Sequence, residues 1–236
     1  MNIAVLYNGL ARKKYKENFE SFKRNVVGEN PDHTFDFFLS FWDKSHPRVD
    51  NASPALEDID TQNVVNTFNP QKYEILDYVK NVKYFTSTAL EEVYKAIPQL
   101  ASYGRQFVTN SIIMQSYGMQ RTFNLLPPSG KGYDYIIKNR YDFIYPDPCK
   151  IIPVGEREIL TLSRRSNQGF VDNVCAGRYE AMQVFMNSYD NLFNEEFMRT
   201  HGGALSFPEH LFRLSLVKEK IKICPKLAWG RAWKRR

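Results

Sequence analysis

Residues 35–42, Phe-Asp-Phe-Phe-Leu-Ser-Phe-Trp, make a nearly continuous apolar run. A strand with one wet face alternates apolar and polar residues, so a run of this kind predicts a strand covered on both faces, as in a parallel sheet. Helices must then lie on each side of it. Ile3–Tyr7 and Tyr133–Asn139 have the same apolar, β-prone character. Asn8-Gly9 breaks the first of these, and residues 13–27 then place Tyr15, Phe19, Phe22 and Val26 at helical spacing. Strand, loop and helix in this order predict the α/β class, with a central, mostly parallel sheet flanked by helices.

The remaining segments fit that scheme. Residues 43–71 are polar and rich in Asp, Asn, Ser and Pro, which predicts a long excursion with one short helix at most, of the kind that serves as a lid. Lys72–Leu76 reads as an edge strand and 88–97 as a short helix. Phe107, Ile112, Met114, Tyr117 and Met119 predict a long helix over 104–123. Pro128-Ser129-Gly130-Lys131-Gly132 has part of a phosphate loop's composition, but it precedes a strand instead of joining strand to helix, so it reads as a turn. A further strand is expected at Glu158–Leu162 and a short apolar stretch at Phe170–Gly177, with helices over 178–193 and 209–218. Pro208 suits a first helical position, where its missing N–H is not needed. One domain over residues 1–225 and a tail at 226–236 are expected.

Composition removes several classes. No apolar run reaches the roughly 18 residues of a membrane-spanning helix, and the amino-terminal residues lack a signal-peptide pattern. Cys149, Cys175 and Cys224 are odd in number and far apart, which suggests reduced thiols and a cytoplasmic protein. The formal charge is +6, yet Lys226, Arg231, Lys234, Arg235 and Arg236 carry five of the positive charges and leave the rest nearly neutral. A nucleic-acid-binding protein spreads its basic residues over a face, so nucleic acid is not the expected partner. Trp229 and Trp233 interleave with those cations, a pattern that suits peripheral contact with a membrane interface; a frayed, solvated terminus is the competing reading.

Ligands of open α/β sheets bind beyond the carboxyl ends of the strands, so polar residues just after strands are the candidates for chemistry. Asn8-Gly9-Leu10-Ala11-Arg12 offers a close backbone approach and a phosphate-binding arginine, or simply a turn with a solvated charge. Arg140-Tyr141-Asp142 offers a carboxylate for a divalent ion and a cation for a leaving diphosphate, or simply an ion pair that fastens a loop. Asp134, inside the expected strand, reads as structural. Asp172, in an apolar segment ahead of a helix, suits a general base or a hydrogen bond at the helix approach. Glu209 sits at a helix start, where the dipole favours acids. Neither a Gly-x-x-x-x-Gly-Lys-Ser/Thr loop nor a Gly-x-Gly-x-x-Gly fingerprint occurs.

Taken in order, four stretches resemble small GT-A-type glycosyltransferases that build surface polysaccharides in bacteria and large DNA viruses, similar to the WavE-like lipopolysaccharide synthesis proteins. They are residues 3–12, a strand then Gly-x-x-Arg; 36–42, a strand closed by Trp42; 133–142, Tyr-Asp, an apolar pair, then Lys138, Arg140 and Asp142; and 170–182 with Pro208-Glu209 following. Lys138 stands where the pattern has arginine, replacing a fork with a point charge. The resemblance implies a GT-A-like fold and transfer of a sugar from a nucleoside diphosphate-sugar donor to a glycan hydroxyl. It implies donor contacts from Asn8, Gly9, Arg12, Trp42, Lys138, Arg140 and Asp142, catalytic roles at the acceptor for Asp172 and Glu209, and Asp142 as ligand to Mn²⁺ or Mg²⁺. A full Asp-x-Asp motif is missing, which leaves a cation-bound site or arginines in place of the ion. It also leaves a non-catalytic nucleotide- or glycan-binding module as the alternative function.

Overall fold

A computed structural model describes residues 1–45, 57–105, 108–161, 173–201 and 208–225. The chain runs through β1 (Asn2–Gly9), α1 (Tyr15–Phe22), β2 (Thr34–Trp42), a small hairpin of β3 (Lys44–Ser45) and β4 (Glu57–Asp58), then α2 (Thr61–Phe68) and β5 (Lys72–Leu76). It continues with α3 (Tyr78–Tyr84), α4 (Leu90–Ala96), α5 (Met114–Phe123), β6 (Tyr135–Arg140), β7 (Glu158–Thr161) and β8 (Cys175–Gly177). Helices α6 (Tyr179–Met186), α7 (Glu195–His201) and α8 (Pro208–Lys218) precede the last described strand, β9 (Lys222–Pro225).

Seven strands form one sheet in the order β5-β2-β1-β6-β8-β7-β9. All neighbours pair in parallel except β8, which runs antiparallel to both β6 and β7. The α/β class with a mostly parallel sheet flanked by helices is therefore what the chain adopts, and Lys72–Leu76 is an edge strand as expected.

The two sheet faces are unlike. Ala4, Leu6, Phe38, Trp42 and Ile136 face a layer that includes Leu90, Val93, Met119, Phe123, Met182 and Phe212, all buried. Ile3, Val5, Tyr7, Leu39, Phe41 and Ile137 pack with Phe19, Phe22 and Phe68, and with Tyr141 and Tyr145 from the segment after β6. Aromatic rings dominate this second face: Tyr7 lies 4.8 Å from Phe68 and 5.4 Å from Tyr141, centroid to centroid. Covering both faces explains why the Phe35–Trp42 run lacks alternation.

Several expectations change in detail. The helix expected at 88–97 starts ten residues earlier, at Tyr78, and passes through a π-helical turn at Phe85–Ala89. Asp77 caps it by accepting from the Lys80 N–H at 2.8 Å, satisfying one donor of the first turn. The helix expected over 104–123 is likewise interrupted, since a π-helical turn at Val108–Ile113 leads into α5. Within the expected lid, α2 seats Val64 and Phe68 in the core, so this part is structural; residues 46–56 lie outside the described chain. Asp134 precedes β6 and binds the Asn2 N–H at 2.8 Å, a structural tie, and Pro128–Gly130 is a turn. Strand β9 and helix α7 have no counterpart in the sequence reading. None of the described helices is long and apolar enough to cross a membrane. The three cysteines are free thiols, and burial pushes that of Cys149 up to about 12. The tail at 226–236 lies outside the described residues.

Candidate functional site

Strands β1 and β6 are adjacent and parallel, with Leu6 beside Lys138 and Asn8 beside Arg140. Parallel pairing brings their carboxyl ends to one edge of the sheet, so residues more than 120 apart in sequence meet there. Gly9 ends β1 with φ of +107°, a conformation that other residues rarely adopt, and it turns the chain toward Arg12. Beyond β6, Tyr141 is buried and its carbonyl accepts from Asn18 Nδ2 at 2.9 Å. Asn139 braces the strand end: its Oδ1 accepts from the Arg140 N–H at 2.9 Å, while its Nδ2 donates to the Tyr7 hydroxyl at 2.8 Å. Both Arg140 and Asp142 are thus carried on well-anchored backbone.

A cavity of about 380 Å³ opens at this edge, lined by Asn8, Gly9, Arg12, Trp42, Lys138, Arg140 and Asp142, together with Leu10, Asn110, Gln115 and Tyr141. The seven residues expected to contact a donor from three separate segments all line it. Asn110 and Gln115 were missed by the sequence reading; Asn110 sits in the π-helical turn leading into α5 and Gln115 in the first turn of α5, over the sheet face that carries Trp42 and Lys138. Their only signal is polarity within an otherwise apolar helical stretch.

The electrostatics are strongly asymmetric. Asp142 receives a fork from Arg140, Nε to Oδ1 at 2.8 Å and Nη2 to Oδ2 at 2.9 Å. Arg12 Nη1 lies 3.2 Å from the same Oδ2. Burial would raise the Asp142 pKa, but the Arg140 charge and hydrogen bonds, followed by Arg12 and Lys138, outweigh it and lower the value to about 2. Arg140, Arg12 and Lys138, all in the cavity lining, therefore each favour the ionised form of Asp142. Lys138 is itself fully buried. Oδ1 of Asn8 and Oδ1 of Asn110 are both buried without a hydrogen-bond partner among the described residues. An orphaned acceptor of this kind calls for an explanation, and a ligand hydroxyl or N–H in the cavity supplies one. Cations at one end and amide acceptors beside them suit a polyanion that also carries polar donors.

A divalent ion does not fit this donor set. Mg²⁺ is commonly held by one or two carboxylates together with substrate phosphates, whereas both oxygens of Asp142, the one carboxylate in the described lining, accept from Arg140. The described residues contain no group of three or more His, Cys, Asp or Glu side chains able to hold a metal. The expected assignment of Asp142 as metal ligand is thus at odds with its surroundings. Of the two expected catalytic residues, Asp172 lies outside the described residues, and Glu209 is in the first turn of α8 with its side chain outside the description. The chain does enter β8 beside Lys138, so the segment after Asp172 arrives at the sheet edge that bears the cavity.

No protein-family model matches the chain, and no curated protein sequence does. Among solved structures, mouse xyloside xylosyltransferase 1 in its apo form is similar at 10% identity and a TM-score of 0.43, over 96% of this chain and 85% of that one.

Proposed function

We propose that the chain is a glycosyltransferase that takes its sugar from a nucleoside diphosphate-sugar and passes it to a hydroxyl of a glycan, in surface polysaccharide or glycoprotein glycan synthesis. One observation carries this proposal: the seven donor-side residues, drawn from β1 and the loop after it, β2 and the β6 end, converge on one cavity whose described lining includes Arg12, Lys138 and Arg140. The order of motifs resembling small GT-A-type enzymes adds the reaction class. In the reaction, the acceptor oxygen attacks the anomeric carbon, the bond from that carbon to the diphosphate breaks, and the diphosphate leaves with the electron pair. Arg12, Arg140 and Lys138 would stabilise the charge growing on it, which is where fixed cations accelerate such a step. Asp172 or Glu209 is assigned to take the acceptor's proton, and Asn8, Trp42 and Asn110 to hold the nucleoside or sugar.

Calorimetric titration with uridine, guanosine and cytidine diphosphates tests the donor site. Binding of at least one is expected, weakened about tenfold or more in Arg140→Gln, the equivalent of one charge-assisted contact of about 1.4 kcal/mol. Absence of binding by all nucleoside diphosphates, with and without Mn²⁺, would refute the proposal. A binding module without turnover is favoured by one specific observation: the only carboxylate described in the cavity lining is held by two arginines. Sugar release or transfer from any donor excludes that alternative.

A further inference from the structure

Asp142 has the geometry of a bound ligand's oxygen pair. Its two oxygens occupy the fork of Arg140, at 2.8 and 2.9 Å, and one also approaches Arg12 at 3.2 Å. Guanidinium forks match carboxylate and phosphate alike. Arg12 arrives from the loop after β1 and Arg140 from the end of β6, so Asp142 bridges two segments that would otherwise present like charges to each other. Lys138, buried and lining the same cavity, adds a third cation. A dication seated on Asp142 would stand within a few ångströms of both guanidiniums, on a carboxylate that already meets three guanidinium nitrogens.

We propose that Asp142 is an internal counter-anion and not a metal ligand: it holds Arg12 and Arg140 in position and yields their donors to the phosphates of a metal-free diphosphate. The identity of the diphosphate's nucleoside part rests on the function proposed above, but the phosphate recognition does not. Two consequences follow. Ligand phosphates and Asp142 compete for the same guanidiniums, so removing the carboxylate's charge strengthens anion binding. A divalent ion reduces the charge of a diphosphate without gaining Asp142 as a ligand, so it weakens binding or leaves it unchanged.

The test is titration of the full chain with inorganic pyrophosphate and with uridine diphosphate, in EDTA and in Mn²⁺, for the wild type, Asp142→Asn and Arg140→Gln. Pyrophosphate is expected to bind in EDTA, about tenfold or more tightly in Asp142→Asn, and at least tenfold more weakly in Arg140→Gln. Binding that requires Mn²⁺ and disappears in Asp142→Asn would overturn the inference while leaving the donor proposal standing. Tighter pyrophosphate binding in Asp142→Asn, combined with uridine and other nucleoside diphosphates binding no better than pyrophosphate, would do the reverse. Failure of pyrophosphate to bind under any condition would overturn the counter-anion role, and circular dichroism of each variant separates that result from loss of fold.

Discussion

Asp142→Asn also probes what the carboxylate contributes to the folded chain in the absence of ligand. The pKa of Asp142 falls from an ordinary 3.8 to about 2. A difference of this size corresponds to about 2 kcal/mol, at 1.36 kcal/mol per unit. Because the folded-state value is the depressed one, that stability is complete above the unfolded value and is lost as the pH falls through about 2. At pH 3 roughly half should remain, since the folded form is still mostly ionised there while the unfolded form is mostly protonated. Asparagine keeps the volume and one acceptor, so comparison with the wild type isolates the charge. Urea unfolding followed by tryptophan fluorescence at pH 7, 5 and 3 should give a wild-type advantage of about 2 kcal/mol at the two higher values and about 1 kcal/mol at the lowest. An advantage that stays constant with pH, or a variant as stable as the wild type at pH 7, would refute the electrostatic account of the clamp. The same substitution is thus expected to weaken the fold and to tighten anion binding, a pairing that a simple structural ion pair would not produce.

Two glycines give independent checks on the packing around the site. Gly118 lies within α5, and a methyl group there would rest 4.0 Å from the Trp42 indole, in ordinary contact. Gly118→Ala is expected to stabilise by about 1 kcal/mol and raise the melting temperature by about 2–4 °C in calorimetry; a lower melting temperature would mean that helix and indole are closer than described. Gly130 has φ of +64°, and a methyl group would lie 2.3 Å from the Tyr179 ring. Gly130→Ala should cost about 2–4 kcal/mol in urea unfolding from strain and overlap together, and a neutral result would contradict the placement of the turn against α6.

What could be read from the sequence follows a physical division. Phe35–Trp42 announced its environment because burial on both faces removes polar residues locally, whatever the strand's neighbours. Asn8, Arg12, Arg140 and Asp142 were legible as a group because parallel strands bring their carboxyl ends to one edge. Asn110 and Gln115 were not, since a polar residue on a helix looks the same facing solvent or a cavity until the helix is docked. The start of α3 was written in the Asp77 cap, but its first turns carry Lys80 and Lys83 and hide the apolar pattern. Spacing offers an Arg140–Asp142 ion pair as one reading; it cannot show that Arg12 shares the same carboxylate, and that third contact is the one the counter-anion proposal builds on. The reversed direction of β8 is a property of pairing between distant segments and has no local signature.

That reversed strand has a mechanical consequence. β8 is three residues long and joins β6 on one side to β7 on the other, whereas β1 and β2 are in register over eight residues. Under load along the strands, the paired residues that must separate together are fewest at β8 among the described strands of this sheet, which makes it a built-in line of rupture. Every residue described around the cavity, from Asn8 to Asp142, belongs to the chain on the tougher side of that line. Partial tearing would detach β7 and β9 and leave the edge that bears the cavity assembled.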